Sequence, residues 1–264
     1  MTKEAAMDLD IRGLRVLVTA GAAGIGLEIA RSFVREGAKV HVCDADDAAL
    51  ASLATSDPEF TRSRADVANR QDVSCLFDEA LQALGGLDVL VNNAGIAGPT
   101  ARVDEVDPED WDRTLAVNIT GQFNCARLAV PHLQKSRNAS IVNLSSAAGR
   151  LGFPLRSPYS AAKWAAVGFT KTLAMELGPL GIRVNAILPG VVEGERIRRV
   201  IGSKAQARGI SYEEMENELL RHVSLRTAVT PQQIADQIVF LCSPRGRTIS
   251  GQAIAIDGDT QSLA

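Results

Sequence analysis

The stretch Val16-Leu17-Val18-Thr19-Ala20-Gly21-Ala22-Ala23-Gly24-Ile25-Gly26 decides how the rest of the chain is read. It opens as an apolar, β-branched run of strand type, passes through a glycine-rich turn, and continues from Leu27 to Val34 as an apolar helical segment. A strand that enters a helix through such a turn brings unpaired backbone N–H groups and the positive end of a helix dipole to one point, where a pyrophosphate can be held. Glycine serves ordinary turns as well, so the placement of the cluster between first strand and first helix carries the reading. Gly21, Gly24, Ile25 and Gly26 are accordingly candidate cofactor contacts.

The next strand-like run, Lys39 to Cys43, ends at Asp44, 18 residues beyond Gly26. A carboxylate at about this distance accepts hydrogen bonds from the ribose hydroxyls of a bound dinucleotide. The same carboxylate, with Asp46 and Asp47 behind it, repels a 2′-phosphate, and no Arg or Lys stands in the turn or directly after Asp44. NAD is therefore expected over NADP, the alternative being that Asp44 is only a solvated strand end.

Outward from this unit, short apolar runs alternate with stretches of helical period, the pattern of repeated βαβ units. Strands are expected at Leu14 to Thr19, Lys39 to Asp44, Thr61 to Ala65, Leu87 to Val91, Ser140 to Leu144, Arg183 to Ile187 and Ala253 to Ile256. Asp107-Pro108-Glu109-Asp110 and Thr230-Pro231-Gln232-Gln233 read as helix starts, with N-cap, first-turn proline and, in the second, a capping box. The expected fold class is α/β: one domain over residues 1–264, a doubly wound parallel sheet of about seven strands with helices on both faces. No linker or repeat interrupts the alternation.

Composition narrows the function. The chain has 28 basic and 31 acidic residues, a formal net charge of -3, with no basic excess for nucleic acid or anionic membrane. Cys43, Cys75, Cys125 and Cys242 are far apart, and His41, His132 and His222 have no ligand spacing, so neither a disulfide framework nor a metal centre is expected. Residues 1–10 lack an apolar core of the export-signal kind, and no run approaches the roughly 20 residues of a membrane span. A cytoplasmic protein is expected.

Tyr159-Ser160-Ala161-Ala162-Lys163 puts a phenol and an ammonium at i and i+4, on one helix face. A neighbouring cation favours a phenolate, which suits a tyrosine to general acid/base work. The spacing alone is common. It gains meaning from Ser146, which lies 13 residues upstream just past the strand run Ile141 to Leu144, and from Asn92-Asn93-Ala94-Gly95 after another strand. Residues beyond the carboxyl ends of parallel strands face the ligand crevice.

Taken with Asp66-Val67, Asn118, Pro189-Gly190 and the late Asp257-Gly258, these motifs resemble, in order and along nearly the whole chain, the classical short-chain dehydrogenase/reductase family. The resemblance implies a Rossmann fold, with Tyr159 as acid/base, Ser146 polarising the substrate oxygen, Lys163 tuning Tyr159 and binding the nicotinamide ribose, and Asn118 holding a water of a proton relay. It implies cofactor contacts at Asp66, Val67, Asn93, Ala94, Gly95, Pro189, Gly190 and Val191, and a homo-oligomer, tetramer before dimer. Two departures are that Ala20 stands where the family often has the first glycine of its turn, and Gly194 where many members have a threonine that bonds the nicotinamide carboxamide.

Residues 191–222 form an insertion-like helical segment in the place of the family's substrate lid. Ile197, Val200 and Ile201 read as one apolar stripe, and Ser211 with Glu214 as a capping box before Met215, Leu219 and Leu220. Arg196, Arg198, Arg199, Lys204 and Arg208 make its first half basic. They, with Arg150 and Arg156 near the serine, are either recognition groups for an anionic substrate or a solvated face balanced by the acidic second half. The expected activity is NAD-dependent interconversion of a small secondary alcohol, such as a sugar, polyol or hydroxy acid, and its ketone. Reduction of a 3-oxoacyl thioester on acyl carrier protein is the alternative, and a non-catalytic NAD sensor a third reading.

Overall fold

The computed structural model describes residues 8–263. Seven strands, β1 (Arg15–Thr19), β2 (Lys39–Asp44), β3 (Thr61–Arg64), β4 (Val89–Asn92), β5 (Ser140–Leu144), β6 (Arg183–Pro189) and β7 (Ala253–Ile256), form one sheet in the order β3-β2-β1-β4-β5-β6-β7. Each neighbouring pair is parallel. The order reverses between β1 and β4, and a doubly wound sheet opens its ligand crevice at such a switch point.

Both faces are covered, which explains the unbroken apolar runs of the central strands. Val16 and Val18 of β1, with Val89, Val91 and Val142, pack under α1 (Gly24–Arg35), α2 (Asp47–Ser56) and a late helix, Pro231–Cys242. Leu17, Leu90, Ile141 and Val184 point the other way, against α3 (Arg70–Leu84) and two helices, Gly121–Leu133 and Ser157–Leu177. Phe33 of α1 is completely buried, a contribution of about 2 kcal/mol for such a side chain.

The expected strands are present with shifted ends. The fourth begins at Val89 instead of Leu87, and just before it the Asp88 carboxylate accepts from the Arg15 guanidinium at 2.8 Å and from the Arg15 N–H at 2.9 Å. The third stops at Arg64, and the sixth runs on to Pro189, closing against Ile256 of β7. Helix α4 (Pro108–Leu115) starts where Asp107 caps it, and the late helix starts at the complete capping box of Thr230 and Gln233.

The segment after β6 folds as two helices, Glu195–Arg208 and Tyr212–Leu220, joined at Gly209 and packed through Ile201, Ala205 and Met215. The apolar stripe expected of Ile197, Val200 and Ile201 is corrected here. Val200 is 41% exposed, and Ala205, one turn beyond Ile201, takes the inward place. Leu220 stays half-buried outside that cluster.

Candidate active site

Helix α1 begins without a side-chain cap and without an acid in its first turn. The contrast with α2 and α3, capped by Asp46 and Asn69, is physical: an uncapped N-terminus leaves N–H groups for an anion. The turn leading to it is shaped by close approach. Gly24 has φ +55, and a Cβ at Gly26 would overlap the Ala20 carbonyl oxygen and stand 2.5 Å from Asn93 Nδ2. A Cβ at Gly21 would lie 2.8 Å from Val42, so the turn rests directly on β2. Ala20, which stands where the family often has glycine, takes φ 49, a left-handed conformation that costs a residue with a Cβ some strain.

Asp44 closes this cradle, accepting the Ala22 N–H at 3.2 Å and the Asp46 N–H at 3.2 Å. Both carboxylate oxygens retain lone pairs for hydroxyl groups. An uncapped helix start, a turn packed too closely for a Cβ at Gly21 or Gly26 and a carboxylate at the end of β2 fit the pyrophosphate and ribose of a dinucleotide. Ile25 is half-buried beside them. Asp66 instead meets an ion partner that the sequence reading missed, Arg113 of α4 at 2.8 Å, and also accepts the Ala68 N–H at 3.0 Å. Val67 is buried, its carbonyl bonded by Asn124 and its side chain filling the space that Gly121 leaves open.

Asn93 is drawn into the turn. Its amide donates to the carbonyls of Thr19 and Ala20, each at 3.0 Å, while Thr19 Oγ1 accepts the N–H groups of Asn93 and Ala94. These bonds weld the end of β4 to the end of β1. Pro189 is buried at the end of β6, and Gly190 lies so near Asp257 that a Cβ would come within 2.5 Å of it. Val191 accepts the Val229 N–H at 2.8 Å, and Gly194 precedes the next helix with φ 145 and no side-chain cap.

Helix α5 (Gly121–Leu133) is joined to α4 by a widened turn, Ala116–Thr120, in which the Gly121 N–H reaches back to the Ala116 carbonyl. Single widened turns of this kind gather at functional sites. Here the turn carries the fully buried Asn118, whose Nδ2 donates to the Ile96 carbonyl at 2.9 Å and whose Oδ1 accepts the Ile96 N–H at 3.0 Å. A Cβ on Gly95 would lie 2.7 Å from Asn118 Oδ1 and 3.3 Å from Lys163 Nζ, so the glycine lets all three converge.

Helix α6 (Ser157–Leu177) presents Tyr159 and Lys163 on consecutive turns, with Lys163 Nζ 5.6 Å from the centre of the Tyr159 ring. The lysine is buried and donates to the Leu144 carbonyl at 2.9 Å. Ser146 follows β5 and heads a short turn, Ala147–Gly149, accepting the Ala148 N–H at 3.2 Å. That turn is braced on α6, because Ser145 Oγ donates to the Lys163 carbonyl at 2.7 Å and Ser160 Oγ to the Ala148 carbonyl at 3.2 Å. Ser145, Ser160 and Arg113 escaped the sequence reading. Their partners lie far along the chain, and only the position of Ser145 beside Ser146 could have pointed to it.

The sheet order, the cradle after β1 and the serine, tyrosine and lysine on one rim define an oxidoreductase of nicotinamide type. A family model described as enoyl-(acyl carrier protein) reductase matches residues 20–259, and the chain belongs to the short-chain dehydrogenase/reductase family, oxidoreductases that act on CH–OH groups. It is 36% identical over 253 residues to 2-(S)-hydroxypropyl-CoM dehydrogenase 3 of Xanthobacter autotrophicus, covering 94% of this chain and 96% of the relative. It is 35% identical to the 3-oxoacyl-[acyl-carrier-protein] reductase FabG of Thermotoga maritima, covering 94% and 98%. L-sorbose reductase of Gluconobacter frateurii, solved with NADPH and L-sorbose, superposes with a TM-score of 0.91 at 28% identity, covering 96% of this chain and 98% of that one. No helix among the described residues is long and apolar enough to cross a membrane.

Proposed function

We propose that the chain works as one domain and interconverts a small secondary alcohol and its ketone, with NAD as the cofactor. The observation that carries this reading is the convergence of Ser146, Tyr159 and Lys163 on the rim that also holds the uncapped start of α1. When bound, the nicotinamide would supply the acceptor, or in the reverse direction the donor, of the hydride exchanged at the carbinol carbon. Ser146 holds the substrate oxygen with its hydroxyl. Tyr159 takes the proton from that oxygen in oxidation and gives it back in reduction. Lys163 opposes the negative charge left on the phenol oxygen between those events, and holds the cofactor ribose. Asn118, beside Lys163, links it to solvent through water and so restores the proton.

The turn residues Gly21, Gly24, Ile25 and Gly26 take the pyrophosphate, and Asp44 the adenosine ribose. Asp66 and Val67 would hold adenine, Asn93, Ala94 and Gly95 the ribose side, and Pro189, Gly190 and Val191 the nicotinamide. NAD is favoured because a carboxylate at the end of β2, with Asp46 and Asp47 behind it, would repel a 2′-phosphate. Phe123 on α5 and Trp164 on α6, 42% and 52% exposed, supply apolar surface for a homo-oligomer, a tetramer in this reading. A cytoplasmic setting agrees with buried thiols such as Cys43, which burial pushes up to about 12 and so keeps inert.

The test is a panel of sugars, polyols, hydroxy acids and neutral secondary alcohols, read by NADH absorbance with NAD and NADP in parallel. Turnover with NAD is expected. Binding of NADH with no turnover across the panel sinks the reading in favour of a sensor. The second reading, a 3-oxoacyl-thioester reductase, draws support from the Thermotoga maritima relative and predicts acetoacetyl-thioester reduction with NADPH above NADH.

A further inference from the structure

We propose that Arg150 is a positioning residue for the reaction, holding the Ser146 turn in register with the end of β6 through the buried Asp257; the proposal rests on the oxidoreductase reading above and adds a residue to its machinery. Arg150 is one of the basic residues that the sequence leaves as candidates for an anion, and the structure pairs it inside the protein instead. Arg208 is paired likewise, with Glu218, while Arg198 and Arg199 lie on the exposed side of their helix and Arg156 is bonded to the Ala97 carbonyl. The side chains of Arg196 and Lys204 are outside the described residues.

Ser146 and Arg150 stand at the two ends of one short turn. Ser146 caps Ala147–Gly149 from the front, and Arg150 follows it, its N–H donating to the Ala147 carbonyl at 3.1 Å. The Gly149 N–H closes the unit on the Ser146 carbonyl at 2.8 Å, so a shift at one end is passed to the other. On the side of α6 the turn is braced by Ser145 and Ser160. Arg150 tethers it on the opposite side, where Nη2 donates to Asp257 Oδ2 at 2.6 Å and to the Thr260 carbonyl at 2.9 Å. The Asp257 side chain is 4% exposed against 36% for Arg150, which makes the carboxylate the fixed end and the arginine the arm that reaches it.

Asp257 is itself held from three directions. Its Oδ1 accepts the Asp259 N–H at 3.0 Å, its backbone lies directly behind Gly190, and the Gly190 N–H donates to the Ile256 carbonyl at 3.1 Å. The chain leaving the Tyr212–Leu220 helix docks on the same turn, since the Leu225 N–H donates to the Gly258 carbonyl at 3.1 Å and the Gln261 N–H to the His222 carbonyl at 2.8 Å. One guanidinium thus joins the serine turn to the end of β6 and to the base of the helix pair. A charge-assisted bond to a buried carboxylate keeps its geometry better than a neutral one. The hydroxyl of Ser146 has to meet a substrate oxygen, and a misplacement of about 1 Å costs a reaction up to about 100-fold.

The experiment places Arg150→Met and Arg150→Lys in wild type and in Ser146→Ala, and measures kcat and KM on the best alcohol of the panel above. In wild type, Arg150→Met should lower kcat about 10- to 30-fold and leave the KM for NAD within about threefold. Arg150→Lys, which keeps a cation for Asp257 and folds if the methionine variant does not, should lose only about threefold. In Ser146→Ala both substitutions should change the residual kcat by less than about twofold, because the group they position is gone. Hydrogen exchange without cofactor gives a second readout: in the Arg150 variants the N–H groups of Gly149, Arg150 and Leu151 should exchange at least about fivefold faster, with those of α1 unchanged. Equal losses of kcat in the two backgrounds mean that the ion pair only supports the fold, and overturn the proposal with the oxidoreductase reading intact. Unchanged exchange in the serine turn does the same. Absence of turnover by wild type on any alcohol removes that reading and this one together.

Discussion

At the scale of single residues, the site depends on one phenol and one carboxylate whose neighbours are fixed by packing. Lys163 Nζ and the Arg156 guanidinium carbon each lie 5.6 Å from the centre of the Tyr159 ring, so the phenol is held in a cationic setting. Removing the phenol oxygen leaves ring, packing and cofactor cradle in place. Tyr159→Phe is expected to lower kcat by about a thousandfold, the usual scale of a lost acid/base group, with NADH affinity by fluorescence titration unchanged. Undiminished turnover would remove Tyr159 from the chemistry. Asp44 is the matching residue at the cofactor end. Asp44→Asn keeps an acceptor for the Ala22 N–H while deleting the charge, and should shift the NAD to NADP ratio of kcat/KM about tenfold toward NADP.

At the scale of elements, alignment of serine and tyrosine rests on how closely the turn Ala147–Gly149 approaches α6. A Cβ at Gly149 would overlap Ser145 Oγ and lie 2.7 Å from the Lys163 carbonyl, a contact with backbone that cannot swing away. Gly149→Ala should thus push Ser146 off its line, lowering kcat/KM about 100-fold and destabilising the fold by about 1 to 3 kcal/mol. Thr230→Ala makes the contrast, since it removes one cap bond far along the chain from those groups. It should cost about 1 kcal/mol in chemical denaturation and leave kcat unaltered. Elements specified by neighbours in sequence were legible in advance: the capping boxes at Ser211 and Thr230, the proline start at Asp107, and the glycine turn. The widened turn at Ala116–Thr120 was not, because Asn118 is held there by Ile96, 22 residues away. Likewise Leu87 has the apolar character of a strand residue, and the bonds that Asp88 makes just before β4, with its carboxylate to the Arg15 side chain and its N–H to the Arg15 carbonyl, come from a partner 73 residues away.

At the scale of the whole molecule, the sheet carries a buried histidine outside the site whose titration is expected to contribute to the pH dependence of stability. His41 of β2 is 2% exposed and lies between Thr61 Oγ1 at 2.9 Å and Ser63 Oγ at 2.8 Å, both on β3. Burial disfavours the imidazolium and holds the group down at about 4, against a weaker upward pull from Glu79. In the unfolded chain the same histidine titrates near the usual ~6.5, so between these values the unfolded state binds the extra proton. Stability therefore falls as pH drops from about 6.5 to about 4, by about 3 kcal/mol across the whole window. Asp57 beside Arg31 and Asp88 beside Arg15 are held below the ordinary carboxylate range, and their contribution is lost only at still lower pH. Urea unfolding without cofactor at pH 7, 6 and 5 should show the decline in wild type and a nearly level response in His41→Gln. A variant that declines as steeply as wild type would shift the cause from this histidine to the carboxylates.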